Sequence, residues 1–320
     1  MSKLVKIVPE KGSYVSIVWQ VSDVCNFRCP YCSEYNWGAR YKNNDFQKIS
    51  PGLLKIFEHY KSMNYENFKI FFSGGEPSYW PPLHDVIRLA TETLPKVKFA
   101  VNTNLSRDID WWKEHGQKFD DIICSFHISG ADQEKFMETY RYLSDKTNYL
   151  VARMMMQEDR FDEVIDFAEK FKQRIKNYKI EYVPIFRELS NTTEPWEYRE
   201  ERHREFLMKH GFERSQFSDP KPQSEAETAS KEVYEDGSEK ILNSNRIVAE
   251  RRNFFAGWRC KVQESIFINP QGNITMATCG QPPSVGNLYD LNFSIPAAPI
   301  TCRKLQCHCG TDISITKEMA

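Results

Sequence analysis

From residue 14 the segment YVSIVWQV places Val15, Ile17, Trp19 and Val21 on one face of a strand that ends just before a cysteine. An amphipathic helical stretch, PGLLKIFEHYKSM, follows, and then an apolar run, FKIFF, that stops at SGGEP. Further strands are predicted at KVKFAVN, DDIICSFHI, NYLVARMMM and YKIEYVPIF, separated by helical patterns such as PLHDVIRLATETL, QEKFMETYRYL and FDEVIDFAEKFKQRI. Residues 14–188 thus hold six strand–helix alternations. The strands are largely apolar rather than alternating, as expected of a parallel sheet covered by helices.

Right-handed crossovers order such units into a doubly wound sheet or part of a barrel. An eight-unit barrel takes ~250 residues, and six units about three quarters of that, close to the span observed. The expected fold is therefore α/β, a partial (β/α)6 TIM-like barrel over residues 1–188. Ligands of either arrangement sit at the C-terminal ends of the strands. CNFRCPYC and SGGEP both fall there.

Residues 189–253 shift to charged and polar composition with several helix formers, which predicts a polar helical linker with PKPQSEAETASKEVYEDGSEK as a flexible insert. Residues 254–320 predict a small domain of short strands, with NPQGN as a hairpin turn. A segment of that size with five cysteines owes its order more to a metal site than to packing alone.

Composition narrows the class of protein. With 40% AVILMFWYC and 27% DEKR in 320 residues, the chain has ample core and is not a disordered or disulfide-stapled protein. Its 43 basic and 44 acidic groups argue against nucleic acid as a partner gripped through phosphates. No apolar run reaches membrane-span length, and MSKLVKIVPEKGS lacks a secretory signal, so the expected setting is the cytoplasm without membrane attachment. Cytosolic thiols stay reduced, so nine cysteines point to metal binding or chemistry rather than disulfides.

The cysteines form two groups and one outlier. Cys124, inside DIICSFHIS, reads as a small buried hydrophobe. Cys25, Cys29 and Cys32 are spaced so that three thiolates on one loop reach three irons of a cubane cluster, leaving the fourth iron open. Zinc is the competing reading, although no fourth ligand lies near in sequence.

This segment resembles the radical S-adenosylmethionine (SAM) superfamily, whose mark is CxxxCxΦC with an aromatic, here Tyr31, before the last cysteine. The second mark, GGEP, matches at Gly74, Gly75, Glu76 and Pro77 after the second strand. Glycines permit close backbone approach, and a glutamate carboxylate suits a cationic amine such as that of SAM. The resemblance implies a [4Fe-4S] cluster on Cys25, Cys29 and Cys32, SAM as cosubstrate, and a reductant such as flavodoxin or ferredoxin. It also implies reductive cleavage of SAM to methionine and a 5′-deoxyadenosyl radical, radical chemistry that belongs to the cofactor. Weaker matches put Asn104, in the Thr103–Asn104 pair, along with Ser125 and Arg153, against SAM. Turn chemistry for Asn104, and packing or an ion pair for Ser125 and Arg153, are the plain alternatives. His127 is either a proton-transfer residue or a structural one, and Met154, Met155 and Met156 read as strand core and its flank.

Downstream, Cys260, Gly272 and Cys279 resemble the opening of a SPASM/twitch domain, with Cys302, Cys307 and Cys309 following. The twitch variant implies one auxiliary [4Fe-4S] cluster with up to four cysteines, so one of the five is spare or the ligation differs from that pattern; a zinc ribbon is the alternative. The expectation is a radical SAM oxidoreductase-like enzyme whose twitch-like domain closes the barrel mouth. It would abstract hydrogen from a small-molecule or peptide substrate for oxidation or crosslinking. Peptide maturation, RNA modification and a non-catalytic iron-sulfur or zinc module are the alternatives. The 13 residues before the first strand leave no room for a winged-helix peptide-recognition domain, which favours a small molecule.

Overall fold

Six parallel strands stand side by side in chain order: β2 (Val15–Ser22), β3 (Asn67–Gly74), β4 (Lys96–Thr103), β5 (Asp121–Phe126), β6 (Tyr149–Met156) and β7 (Ile180–Pro184). They belong to a computed structural model that describes residues 2–10, 12, 14–32, 45–185, 198–210, 229–244, 247, 252–280, 284–307 and 309–320. The helices after them are α1 (Phe46–Ser62), α2 (Leu83–Thr93), α3 (Ile109–His115), α4 (Gln133–Leu143), α5 (Phe161–Arg174) and α6 (Glu201–His210). This is the partial (β/α)6 barrel expected from the sequence. The expectation had no helix at α3, a seven-residue element too short to show a clear 3.6-residue period.

Apolar periodicity explains why the helices lie where they do. Ile49, Leu53, Ile56, Phe57 and Tyr60 make the buried stripe of α1, whose N-terminus is capped by the Asp45 side chain accepting from Gln47 N–H. On α5 the stripe is Phe161, Val164, Phe167, Ala168 and Phe171. Phe126 of β5 stacks on Phe167 with ring centroids 3.7 Å apart and meets Phe136 of α4 edge-on. Strand residues of that parity, including Cys124, Met154 and Met156, are buried under the helices.

The remaining strands depart from the expected division of the chain. β1 (Leu4–Pro9) precedes the first barrel strand and lies in a second sheet with the hairpin β8 (Ala229–Tyr234) and β9 (Glu239–Asn243). β10 (Arg259–Cys260), β14 (Ile300–Thr301) and β15 (Lys317–Glu318) complete that sheet, in the order β14-β10-β15-β1-β8-β9. The described part of 189–253 is therefore α6 followed by a hairpin; of the expected flexible insert, 220–240, residues 220–228 lie outside the described residues, and 229–240 are ordered as β8, its turn and the start of β9. β11 (Ser265–Ile268) and β12 (Asn273–Met276) form the expected hairpin, with Gly272 at φ +80° in its turn. β11 runs parallel to β2, and β13 (Gly286–Asn287) extends β12, so this hairpin continues the barrel sheet beyond β2. No helix among the described residues is long and apolar enough to cross a membrane.

Candidate functional site

The first thiol group sits on the loop that leaves β2. Cys29 is buried and Cys25 and Cys32 are half-buried, all as free thiols. A turn closes with Cys32 N–H donating to the Cys29 carbonyl at 3.0 Å, and Phe27 N–H reaches the Cys25 sulfur at 3.4 Å. Burial pushes the Cys25 thiol up to about 11, with Glu76, Cys29 and Cys32 adding repulsion. Burial raises Cys29 as well. Gathered thiolates are poor partners for one another but good ones for a cationic centre, which offsets their charge.

The end of β3 is fastened to this loop through backbone. Gly75 N–H donates to Ser22 O at 2.7 Å and Glu76 N–H to Val24 O at 2.9 Å. A Cβ on Gly75 would lie 2.0 Å from Val24 O, and one on Gly74, whose φ is +118°, 2.5 Å from Ser22 O. Both glycines are thus required by contact between the two loops themselves, before any ligand is considered.

Glu76 is held by hydrogen bonds within the protein. Its carboxylate is buried and accepts from Ser78 N–H at 3.1 Å, Ser78 Oγ at 2.6 Å, Thr103 Oγ1 at 2.7 Å and Asn104 N–H at 2.7 Å. Three of these donors meet Oε1 and one meets Oε2, so the carboxylate ties the β3 and β4 turns together. Burial raises its pKa against those hydrogen bonds, which pull it down. The Asn104 amide then reaches the cysteine loop, donating to Asn26 Oδ1 at 3.0 Å with Cys25 Sγ at 3.8 Å.

The other expected residues line the opposite face of the sheet. Phe126 faces the helices, so Ser125 points away from them, and register places Arg153 beside Ser125 and Glu181 beside Arg153. Ser125 Oγ donates to Asn102 Oδ1 at 2.9 Å, and Arg153 Nε to Glu181 Oε2 at 2.8 Å. Tyr31 crosses from the cysteine loop to the end of β5, its hydroxyl 2.7 Å from His127 Nδ1. Burial pushes His127 down to about 4, leaving a neutral ring at pH 7. Asn102 and Glu181 were not legible as site residues, because their partners lie on neighbouring strands.

The second thiol group surrounds a cavity lined by Cys260, Cys279, Cys302 and Cys307 together with Asp312 and Lys317. Cys309 is absent from its lining; it precedes the short helix Gly310–Ser314 and accepts at its carbonyl from Ile313 N–H at 2.9 Å. Burial pushes Cys260 up to about 12 and raises Cys307 and Cys309. Asp312 holds the Cys279 turn, accepting from Thr278 Oγ1 at 2.6 Å and Cys279 N–H at 2.9 Å. Among the described residues, no three His, Cys, Asp or Glu side chains converge at the spacing of a single metal ion.

A parallel (β/α)6 barrel with three cysteines on its first loop and a GGE turn locked against them defines an iron-sulfur radical enzyme class. Residues 19–189 match the model of the Radical SAM superfamily, and the chain belongs to that family. Membership implies SAM and a [4Fe-4S] cluster, and the donor set of Cys25, Cys29 and Cys32 fits the cluster. Over 120 residues the chain is 31% identical to GTP 3′,8-cyclase of Klebsiella pneumoniae, covering 36% of this chain and 35% of that protein. The same enzyme of Actinobacillus pleuropneumoniae serotype 5b is 30% identical over 106 residues, 32% of this chain and 30% of its own. The match thus spans about a third of these relatives' length. Among solved structures, Streptococcus suis SuiB aligns with a TM-score of 0.48 at 14% identity, over 88% of this chain and 64% of that one. BtrN in complex with AdoMet and 2-DOIA aligns with a TM-score of 0.37 at 15% identity, over 86% and 78%.

Proposed function

We propose that this chain is a two-cluster radical SAM oxidoreductase acting on a carbon of a small-molecule or peptide substrate. Bound, the clusters and SAM would supply a 5′-deoxyadenosyl radical that takes a hydrogen atom, and an acceptor for the electron then lost by the substrate as it is oxidised or crosslinked. The observation that carries this reading is the pair of thiol sites: three cysteines beneath a GGE turn, and four more lining one separate cavity. Three thiols leave one iron of a cubane open, where SAM's amine and carboxylate can coordinate; four thiols leave none, which suits electron transfer better than substrate coordination.

The protein's own residues bind and orient. Cys25, Cys29 and Cys32 hold the first cluster. Gly74, Gly75 and Glu76 form the turn beside SAM, with Tyr31 and Asn104 fixing the adjoining loop. Ser125 and Arg153 present polar groups inside the barrel, and Glu181 orients the guanidinium. Cys260, Cys279, Cys302 and Cys307 hold the auxiliary cluster in a twitch-like C-terminal unit that shares its sheets with β1, the β8–β9 hairpin and the barrel edge at β2. Thiolate-held clusters suit a reducing cytoplasm, where flavodoxin or ferredoxin would serve as reductant.

The test is anaerobic purification and reconstitution with iron and sulfide, followed by measurement of iron and of 5′-deoxyadenosine formed from SAM under dithionite. About eight irons per chain, with 5′-deoxyadenosine formation abolished by Cys29→Ala, is the expected result. Stoichiometric zinc, or intact clusters that leave SAM uncleaved, would refute the reading.

A further inference from the structure

Beside the four-thiol cavity stands a buried cation that the proposed chemistry has not used. Lys317 is 2% exposed and lines the cavity. The ladder between β15 and β10 sets it directly opposite Cys260, so backbone pairing fixes its place beside the thiols. Its ammonium donates to the carbonyls of Asp312, of Ile313 at 3.2 Å and of Ile315 at 3.0 Å. Three donors meeting three carbonyls consume every proton of an ammonium and leave no role for a neutral amine. The Phe255 ring lies beneath it, 5.2 Å from the nitrogen.

The nearest anion is already engaged. Asp312 is buried on the same cavity wall, with its carboxylate turned to Thr278 and Cys279. The cavity wall therefore carries one buried positive and one buried negative charge, with a second lining lysine, Lys304, exposed. Burying a lysine is costly, and carbonyl caps alone could be supplied by a backbone N–H or a neutral side chain.

We infer that Lys317 is a positioning residue for the auxiliary cluster, a cation fixed in its wall that raises the cluster's reduction potential. The inference rests on the reading that Cys260, Cys279, Cys302 and Cys307 carry an iron-sulfur cluster. Reduction adds one negative charge to a centre already made negative by four thiolates. A cation fixed in a low-dielectric wall favours that reduced state, and a fixed anion opposes it. Lys317 and Asp312 therefore pull the potential in opposite directions, and the lysine makes the cluster a better electron acceptor.

The experiment uses the full chain carrying Cys25→Ala, Cys29→Ala and Cys32→Ala, so that only the second site can hold a cluster. Iron content and an EPR-monitored redox titration are measured anaerobically after reconstitution. About four irons per chain and one titrating signal are the result required by the cluster reading; their absence overturns that reading and the inference with it. Lys317→Met is then expected to lower the potential by at least tenfold in the one-electron equilibrium, about 59 mV. Lys317→Arg, which keeps the charge, is expected to stay near the parent, and Asp312→Asn to move the potential upward. Opposite signs separate charge from mere loosening, because a loosened, wetter cavity shifts both variants in one direction. An unchanged potential in Lys317→Met with iron intact, or shifts of the same sign in Lys317→Met and Asp312→Asn, would overturn the assignment. Should Lys317→Met fail to retain iron, the Arg and Asp312→Asn variants decide: parent-like and upward supports it, any other pair refutes it.

Discussion

Gly75→Ala is the sharpest perturbation of the site, because a single methyl group would enter the junction between the GGE turn and the cysteine loop. The added carbon would lie 2.0 Å from Val24 O and 2.4 Å from Val24 C, both rigid backbone, so the loops must separate. Separation breaks the Gly75 N–H to Ser22 O and Glu76 N–H to Val24 O hydrogen bonds, each contributing about 1 kcal/mol. Overpacking adds roughly 1–3 kcal/mol, so the expected loss is about 3–5 kcal/mol. A displacement near 1 Å at the thiols is enough to cost on the order of 100-fold in rate. The assay pairs urea unfolding with iron content and 5′-deoxyadenosine formation. Gly237→Ala serves as control: it occupies a hairpin turn at φ +79° with nothing within 4 Å, so it strains backbone while leaving the thiols alone. That control should lose about 1–2 kcal/mol and no activity. A Gly75→Ala protein with full iron, parent stability and undiminished SAM cleavage would refute the idea that this junction sets the site.

Thr103→Val removes one of four donors to the buried Glu76 carboxylate and should cost about 1–3 kcal/mol in urea unfolding. Because burial raises Glu76 in the fold, its contribution to stability is present in full below the unfolded carboxyl value and is lost as pH rises through the raised folded value. Thr103→Val should push that loss to higher pH, which unfolding curves across pH will show. In the iron-free chain, NMR titration of His127 should give a value near 4, so its neutral ring stabilises the fold above the ordinary histidine value and this is lost as pH falls through about 4. A titration near 6.5 would contradict burial as the cause, and Tyr31→Phe should cost about 1 kcal/mol through the lost contact. Cys309→Ser should keep about eight irons per chain, whereas Cys260→Ser should fall toward four, as measured by iron analysis.

Local pattern carried the barrel. Each of β2 to β7 is a short apolar run followed by a turn, and apolar residues recurring at helical spacing announce α1, α2, α4 and α5, so neighbours in sequence are enough to read them. The cysteine triplet and GGEP were legible for the same reason, since each is a contiguous motif at a strand end. Sequence alone therefore determined the family, the α/β class and the end of the barrel where chemistry belongs.

Tertiary structure decided the rest, wherever a residue's partner lies far along the chain. β1 pairs with β15 across nearly the whole sequence, and strands of two to six residues carry too little pattern to announce such pairing. Nothing in GGEP tells that the Glu76 carboxylate turns inward to Thr103 and Asn104, or that Gly75 is a glycine because Val24 O leaves no room. Among five C-terminal cysteines, only the folded backbone separates the four that line the cavity from Cys309 beside it. Lys317 would pass for an ordinary surface lysine until β15 sets it opposite Cys260. The physical reason is common to all of these: propensity and periodicity act over a few residues, whereas burial, register and electrostatic environment are set by whichever segments come together.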